Sequence, residues 1–144
     1  MANINPYLNF KGNTEQAFKF YKSVFGGEFA MVMRWKDSPE PEKLSAAERK
    51  KIMHIALPIG KGNALMATDS LESMGCPLTV GTNFHICVSA DSEAEADRIF
   101  KKLAAGGKVG MPMGKTFWGA YFGMCTDKFD IQWMISYEYN QKKK

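Results

Sequence analysis

One pattern occurs twice in this chain, 79 residues apart. The first copy opens with a strand-like stretch, Pro6 to Phe10, followed by Asn13-Thr14, residues suited to capping a helix. Ala17, Phe20, Tyr21 and Val24 then recur at i, i+3, i+4 and i+7, one apolar face of a helix that stops at Gly26-Gly27. The second copy runs His85 to Ser89, then Asp91-Ser92, then Ala96, Ile99, Phe100 and Leu103, and stops at Gly106-Gly107. Asn13 corresponds to Ser92, and each stripe residue to its counterpart, at the same offset. A strand, a cap and a stripe sharing one spacing indicate an internal duplication. The chain must therefore fold as two similar halves.

Strand-like segments follow each helix. In the first half they are Phe29 to Trp35, Lys51 to Ile59 and Asn63 to Asp69. In the second they are Lys108 to Met113, Phe117 to Thr126 and Ile131 to Tyr137, with a polar turn at Asp127 to Asp130. Lys36 to Glu48, with Pro39 and Pro41, reads as a long loop, with a short helix at Ser45 to Lys50. Its acidic part, Asp37 to Glu42, is a solvated connection or a lid. The expected fold is α+β: two βαβββ modules, one helix each, forming a curved, cupped mixed sheet. Module one spans about 1–72, a connector 73–81, module two 82–139, and a basic tail 140–144. A single helix covers only one face of each sheet, so the other face must meet the second half, a partner chain or a ligand.

The 144 residues suffice for a core without staples, and 45% are hydrophobic against 24% charged. No apolar run reaches the roughly 18 residues of a membrane span. The first residues lack the basic and apolar regions of a signal peptide, so a cytoplasmic protein is expected. Cys76, Cys87 and Cys125 show no C-x-x-C spacing and read as reduced, buried thiols. The net charge of +4 owes part of its value to Gln141 to Lys144, and no nucleic-acid motif accompanies it.

The duplication resembles the vicinal-oxygen-chelate superfamily of glyoxalase I, extradiol dioxygenases and bleomycin-resistance proteins. The strings Pro6 to Phe10, Ala17 to Gly27, Phe117 to Ala120 and Asp127 to Met134 are similar to its PhnB-like branch, also described as 3-demethylubiquinone methyltransferases. Metal-dependent members hold a divalent ion with four side chains, from the first and last strands of each module. The resemblance places those positions at Pro6, Met66, His85 and Gln132. Only His85 is an ordinary ligand for such an ion. No metal or other cofactor is expected, and a glyoxalase or dioxygenase with a degenerate site is the last of three readings.

Among candidate site residues, His85 alternates with Phe84, Ile86 and Val88. The latter three are expected to pack under the helix while His85, Cys87 and Ser89 face the cup. There His85 could be a general base or a remnant of an ancestral site. His54 shares its strand face with Ile52, Ala56 and Pro58. Gln132 either binds a ligand oxygen or caps a backbone group. Trp35, Trp118, Tyr121, Phe122 and the methionines, Met66 among them, are either cavity walls or ordinary packing. Gly60-Lys61-Gly62 reads as a hairpin turn, and Gly106 to Gly110 does not precede a helix, so neither suits a phosphate or methyl donor. The expected function is binding of a small organic molecule in the cup, by a homodimer; the alternative is a metal-independent enzyme using His85 or His54 for proton transfer.

Overall fold

The computed structural model describes residues 2–75 and 77–139. Cys76 and the basic tail lie outside them. The chain divides into two compact units, Met1–Thr79 and Val80–Lys144. In the first, β1 (Tyr7–Phe10), α1 (Thr14–Phe25), β2 (Met31–Arg34), the short α2 (Ala46–Arg49), β3 (Ile52–Ile59) and β4 (Asn63–Asp69) follow in order. The second holds β5 (Ile86–Ser89), α3 (Glu93–Ala104), β6 (Lys108–Lys115), β7 (Ala120–Thr126) and β8 (Gln132–Glu138). Each unit forms one four-stranded mixed sheet, ordered β1-β4-β3-β2 in the first and β5-β8-β7-β6 in the second. The first strand pairs parallel to the last, and the other pairs are antiparallel. Both units are thus βαβββ modules.

The two long helices begin and end at the same 79-residue offset, Thr14 with Glu93 and Phe25 with Ala104, as do β1 and β5. The strands are nevertheless out of phase. Leu8 and Phe10 point into the module-one core, whereas in module two Ile86 and Val88 turn inward and Cys87 and Ser89 stay exposed. Read by side-chain face, β1 and β5 correspond at an offset one residue shorter, and His85 answers to Tyr7 rather than Pro6. Strand faces alternate with period two, so one residue in the strand-to-helix connection inverts them while the helix keeps its place.

Local chemistry explains the helix ends. Asn13 makes no side-chain capping bond. The buried Asp69 carboxylate, one strand away, does that work: its Oδ1 accepts from Thr14 N at 3.0 Å and Thr14 Oγ1 at 2.7 Å. Its Oδ2 accepts from Ile52 N at 2.8 Å, fastening β3 to the same anchor. Ser92 caps α3 in the expected way, accepting from Glu95 N at 3.1 Å. On α1 the buried residues are Thr14, Ala17, Phe18, Tyr21 and Val24, so Phe18 replaces the expected Phe20. On α3 they are Ala96, Ile99 and Leu103, and Phe100 is only half-buried.

Bulges and turns shift the remaining boundaries. Trp35 opens a 3-10 turn rather than ending β2, and Phe117 to Gly119 form the turn before β7, closed by Thr116 N donating to Ala120 O at 2.8 Å. The long loop is pinned: Ser45 and Glu48 form a capping box, and Arg49 Nε donates to Pro41 O at 2.8 Å. β6 is an edge strand with two irregularities, which is where a sheet tolerates Pro112. Gly107 lies so close to the strand above that a Cβ there would meet Thr126 O at 2.1 Å.

Candidate functional site

In each module the helix covers one sheet face and leaves the other without a helix. Directly paired residues point to the same face, so strand register gives the rows of that helix-free face. In module one the first row is Tyr7, Met66, Ala56 and Met31. The next is Asn9 with Thr68 and, one step further along the β3–β4 register, His54 with Met33. In module two the rows are Gln132, Thr126 and Lys108, then Cys87, Met134, Met124 and Met111, then Ser89, Ser136, Phe122 and Gly114. His85 continues the first of these beside Gln132.

His54 and Tyr7 meet across β4. Their rings stack at 5.7 Å between centroids and 26° between planes, and His54 Nδ1 lies 3.4 Å from Tyr7 Oη. Met66 lies directly beside Tyr7, not Pro6, whose carbonyl accepts from Met66 N at 3.0 Å. Ile52 does not share this face as expected. A bulge opposite Met33 and Arg34 places Met53 out of register and Ile52 in the core. Trp35 commits its indole Nε1 to Asp69 O at 3.2 Å and is half-buried.

In module two His85 is exposed, just ahead of β5. Phe84 does not pack under α3: it is 58% exposed, and its carbonyl accepts from Gln132 Nε2 at 2.6 Å. Gln132 therefore caps a backbone group, and it also borders a groove of about 310 Å³ with Thr82, Lys108, Thr126 and Asp130. Tyr121, expected on the cup, lies on the opposite face. It pairs with Tyr137, and its hydroxyl donates to Asp97 of α3 at 2.6 Å, which pushes its pKa up to about 12. Trp118 is on the helix-free side, edge-on to Phe122 at 5.8 Å and to the exposed Phe117 at 5.0 Å.

Cys87 is exposed, contrary to expectation, and burial of its sulfur followed by the charge of Glu138 raises its thiol pKa. Cys125 is buried, and burial pushes its thiol to about 11. The face of Cys87 is the one that alternation with Ile86 and Val88 gives it, although its residue type alone suggested burial. The Tyr7–His54 pair could not have been found that way, since it depends on β4 lying between β1 and β3.

By face, the four positions of the expected metal set are Tyr7, Met66, His85 and Gln132. One imidazole, a thioether, a phenol and an amide already donating to Phe84 do not fit a hard divalent ion. Among the described residues no group of three or more His, Cys, Asp or Glu side chains could hold one. No described helix is long and apolar enough to cross a membrane.

Residues 3–135 match the sequence profile of the Glyoxalase/Bleomycin resistance protein/Dioxygenase superfamily. Protein YjdN of Escherichia coli is 30% identical over 141 residues, covering 92% of this chain and 93% of that protein. The crystal structure of protein PA1353 from Pseudomonas aeruginosa superposes with a TM-score of 0.84 at 41% identity, covering 96% of this chain and 98% of the other. A putative 3-demethylubiquinone-9 3-methyltransferase, PhnB protein, from Bacillus cereus gives 0.75 at 26% identity, over 94% and 99%.

Proposed function

Because the chain belongs to the Glyoxalase/Bleomycin resistance protein/Dioxygenase superfamily, we propose that it binds a small organic molecule against the helix-free faces of its sheets, without a divalent metal. The observation that carries this reading is the chemistry of those faces. They present aromatic rings and thioethers that stay partly exposed, Tyr7 and Met31 at 46% and Trp118 at 58%, with a few polar groups among them. Such surfaces suit a flat, apolar ligand with one or two hydrogen-bonding atoms, and methionine adapts its shape to it. In this reading the protein acts in the cytoplasm and does so as a homodimer; the dimer is supported by exposed apolar residues such as Phe84, Val109 and Phe117. Light scattering on a size-exclusion column tests the dimer, and a monomer at micromolar concentration refutes it.

A second reading is favoured by the Tyr7–His54 contact. An imidazole held by a phenol could move a proton at a carbonyl substrate, and in this reading His54, which has such a partner, takes the role ahead of the exposed His85. Neither reading includes methyl transfer, because Gly60-Lys61-Gly62 closes the β3–β4 hairpin and Gly107 leads out of α3 into β6.

The test is a thermal-shift screen with aromatic carbonyl compounds and quinones, followed by chromatography of each stabilising compound after incubation. Recovery of unchanged compound supports binding. Conversion that His54→Gln abolishes while binding persists supports the enzyme. No stabilisation by any compound refutes both. Elemental analysis tests the metal-free reading, and a stoichiometric divalent ion lost in His85→Ala would overturn it.

A further inference from the structure

The helix-free face of module two is graded along its strands. At one end Gln132, Thr126 and Lys108 pair side by side on β8, β7 and β6. The next row, Cys87, Met134, Met124 and Met111, is apolar and partly exposed. Beyond it lies Phe122, with the Trp118 ring edge-on to it. The polar row and the first aromatic ring are thus separated by four residues of β7, Thr126 to Phe122, or about 13 Å.

Charge follows the same axis. Lys108 and Thr126 have no side-chain hydrogen bond or ion pair among the described residues, and both border the groove of about 310 Å³. Of the other charged residues there, Asp127 is buried and accepts from Phe129 N, Ile131 N and Trp133 Nε1, while Lys128 and Asp130 carry opposite charges. Glu138 stands on the same face of β8 at the aromatic end, paired with Ala120. An anionic group is therefore drawn to the Lys108 end and repelled from the other. The rows of module one, from Tyr7 to Met31 and from Asn9 to Met33, hold no lysine or arginine and so have no such axis.

We propose that the ligand of module two is an amphipathic carboxylate, its head on the Lys108 ammonium and the Thr126 hydroxyl and its apolar body along Met134 and Met124 toward Phe122. The proposal rests on the small-molecule reading and narrows it to one ligand class and one orientation. A span of about 13 Å suits an aryl-alkanoic or medium-chain fatty acid. The flexible thioethers mould to either body, and the ammonium gives the carboxylate a charge-assisted hydrogen bond that a neutral amide lacks. Lys108 is exposed, so water and salt screen the pair and the preference is modest.

The test titrates phenylhexanoate, its primary amide and the corresponding amine into the full chain labelled with ¹³C-methyl methionine. The acid is expected to shift Met134 and Met124 and to bind about fivefold more tightly than the amide, with the amine weakest. Lys108→Gln should lower the acid to the affinity of the amide and leave the amide unchanged, so that amide binding also reports an intact fold. Lys61→Gln, in the turn between β3 and β4, should alter neither. Equal binding of acid and amide to the unsubstituted chain, or an acid preference that survives Lys108→Gln, overturns the carboxylate assignment and leaves the small-molecule reading standing. Binding by none of the three overturns it as well, and the small-molecule reading is then decided by the screen of aromatic carbonyl compounds and quinones, which uses none of them.

Discussion

Replacing Asp69 by alanine removes the anchor that joins α1, β3 and β4. The carboxylate is 1% exposed and accepts three hydrogen bonds, from Thr14 N, Thr14 Oγ1 and Ile52 N, while Thr14 and Ile52 are fully buried. Leaving a buried donor unsatisfied costs about 1–3 kcal/mol, so three of them set an upper bound near 9 kcal/mol. The threonine hydroxyl can rotate to another acceptor, and water can enter the vacated space, so about 3–5 kcal/mol is expected. Asp69→Asn retains one oxygen for Thr14 but turns an N–H₂ toward Ile52 N, and about half that loss is expected. Urea unfolding followed by fluorescence and circular dichroism measures both, with coincident curves justifying a two-state treatment. The loss should appear as a lower midpoint at unchanged slope. A loss below about 1 kcal/mol for Asp69→Ala would refute the anchor, since a buried acceptor of three bonds cannot be dispensable.

Other consequences are open to equally simple measurement. Gly107→Ala should be far more destabilising than Gly123→Ala: the added Cβ of the first would stand 2.1 Å from the backbone oxygen of Thr126, whereas that of the second meets the movable Met113 sulfur at 2.5 Å and backbone only at 3.1 Å. Their melting temperatures decide the order. Arg34 holds Glu15 by two hydrogen bonds of 3.2 and 2.7 Å, lowering the Glu15 pKa. A group whose folded pKa is depressed stabilises above its unfolded pKa and loses that contribution as pH falls through the folded value. Stability should thus decline in that acid range less steeply in Glu15→Gln, by no more than about 1 kcal/mol because the pair is partly exposed. In a Cys76→Ser background, Ellman's reagent should modify Cys87 in the native protein and Cys125 only after unfolding, given its burial and its raised pKa.

What the sequence disclosed and what it hid follow from the range of each interaction. The helices, caps and hairpins depend on neighbours within a few residues, so the duplication located Thr14–Phe25 and Glu93–Ala104. Which strand face a residue occupies depends on bulges and on the length of the preceding connection. Ile52, Tyr121 and the inverted phase of β1 against β5 were for that reason misread. The short helix at Ala46–Arg49 was legible because its capping box is local, whereas capping of α1 by Asp69 spans 55 residues and was not. For Gln132 the sequence left two roles open, a ligand oxygen's partner or a backbone cap, and the bond from Gln132 to Phe84 O needed the fold.

The helix-free faces are proposed to hold the ligand, and the methionines already stationed there can report on it. With ¹³C-methyl methionine in the protein, each methyl resonance is assigned by single Met→Leu substitution, and a compound that raises the melting temperature is titrated in. Met66, Met31 and Met33 of module one, or Met124 and Met134 of module two, should shift in a saturable way, while Met74, which lies on neither sheet, should not. A stabilising compound that moves Met74 and leaves these five methyl groups unchanged would contradict the account.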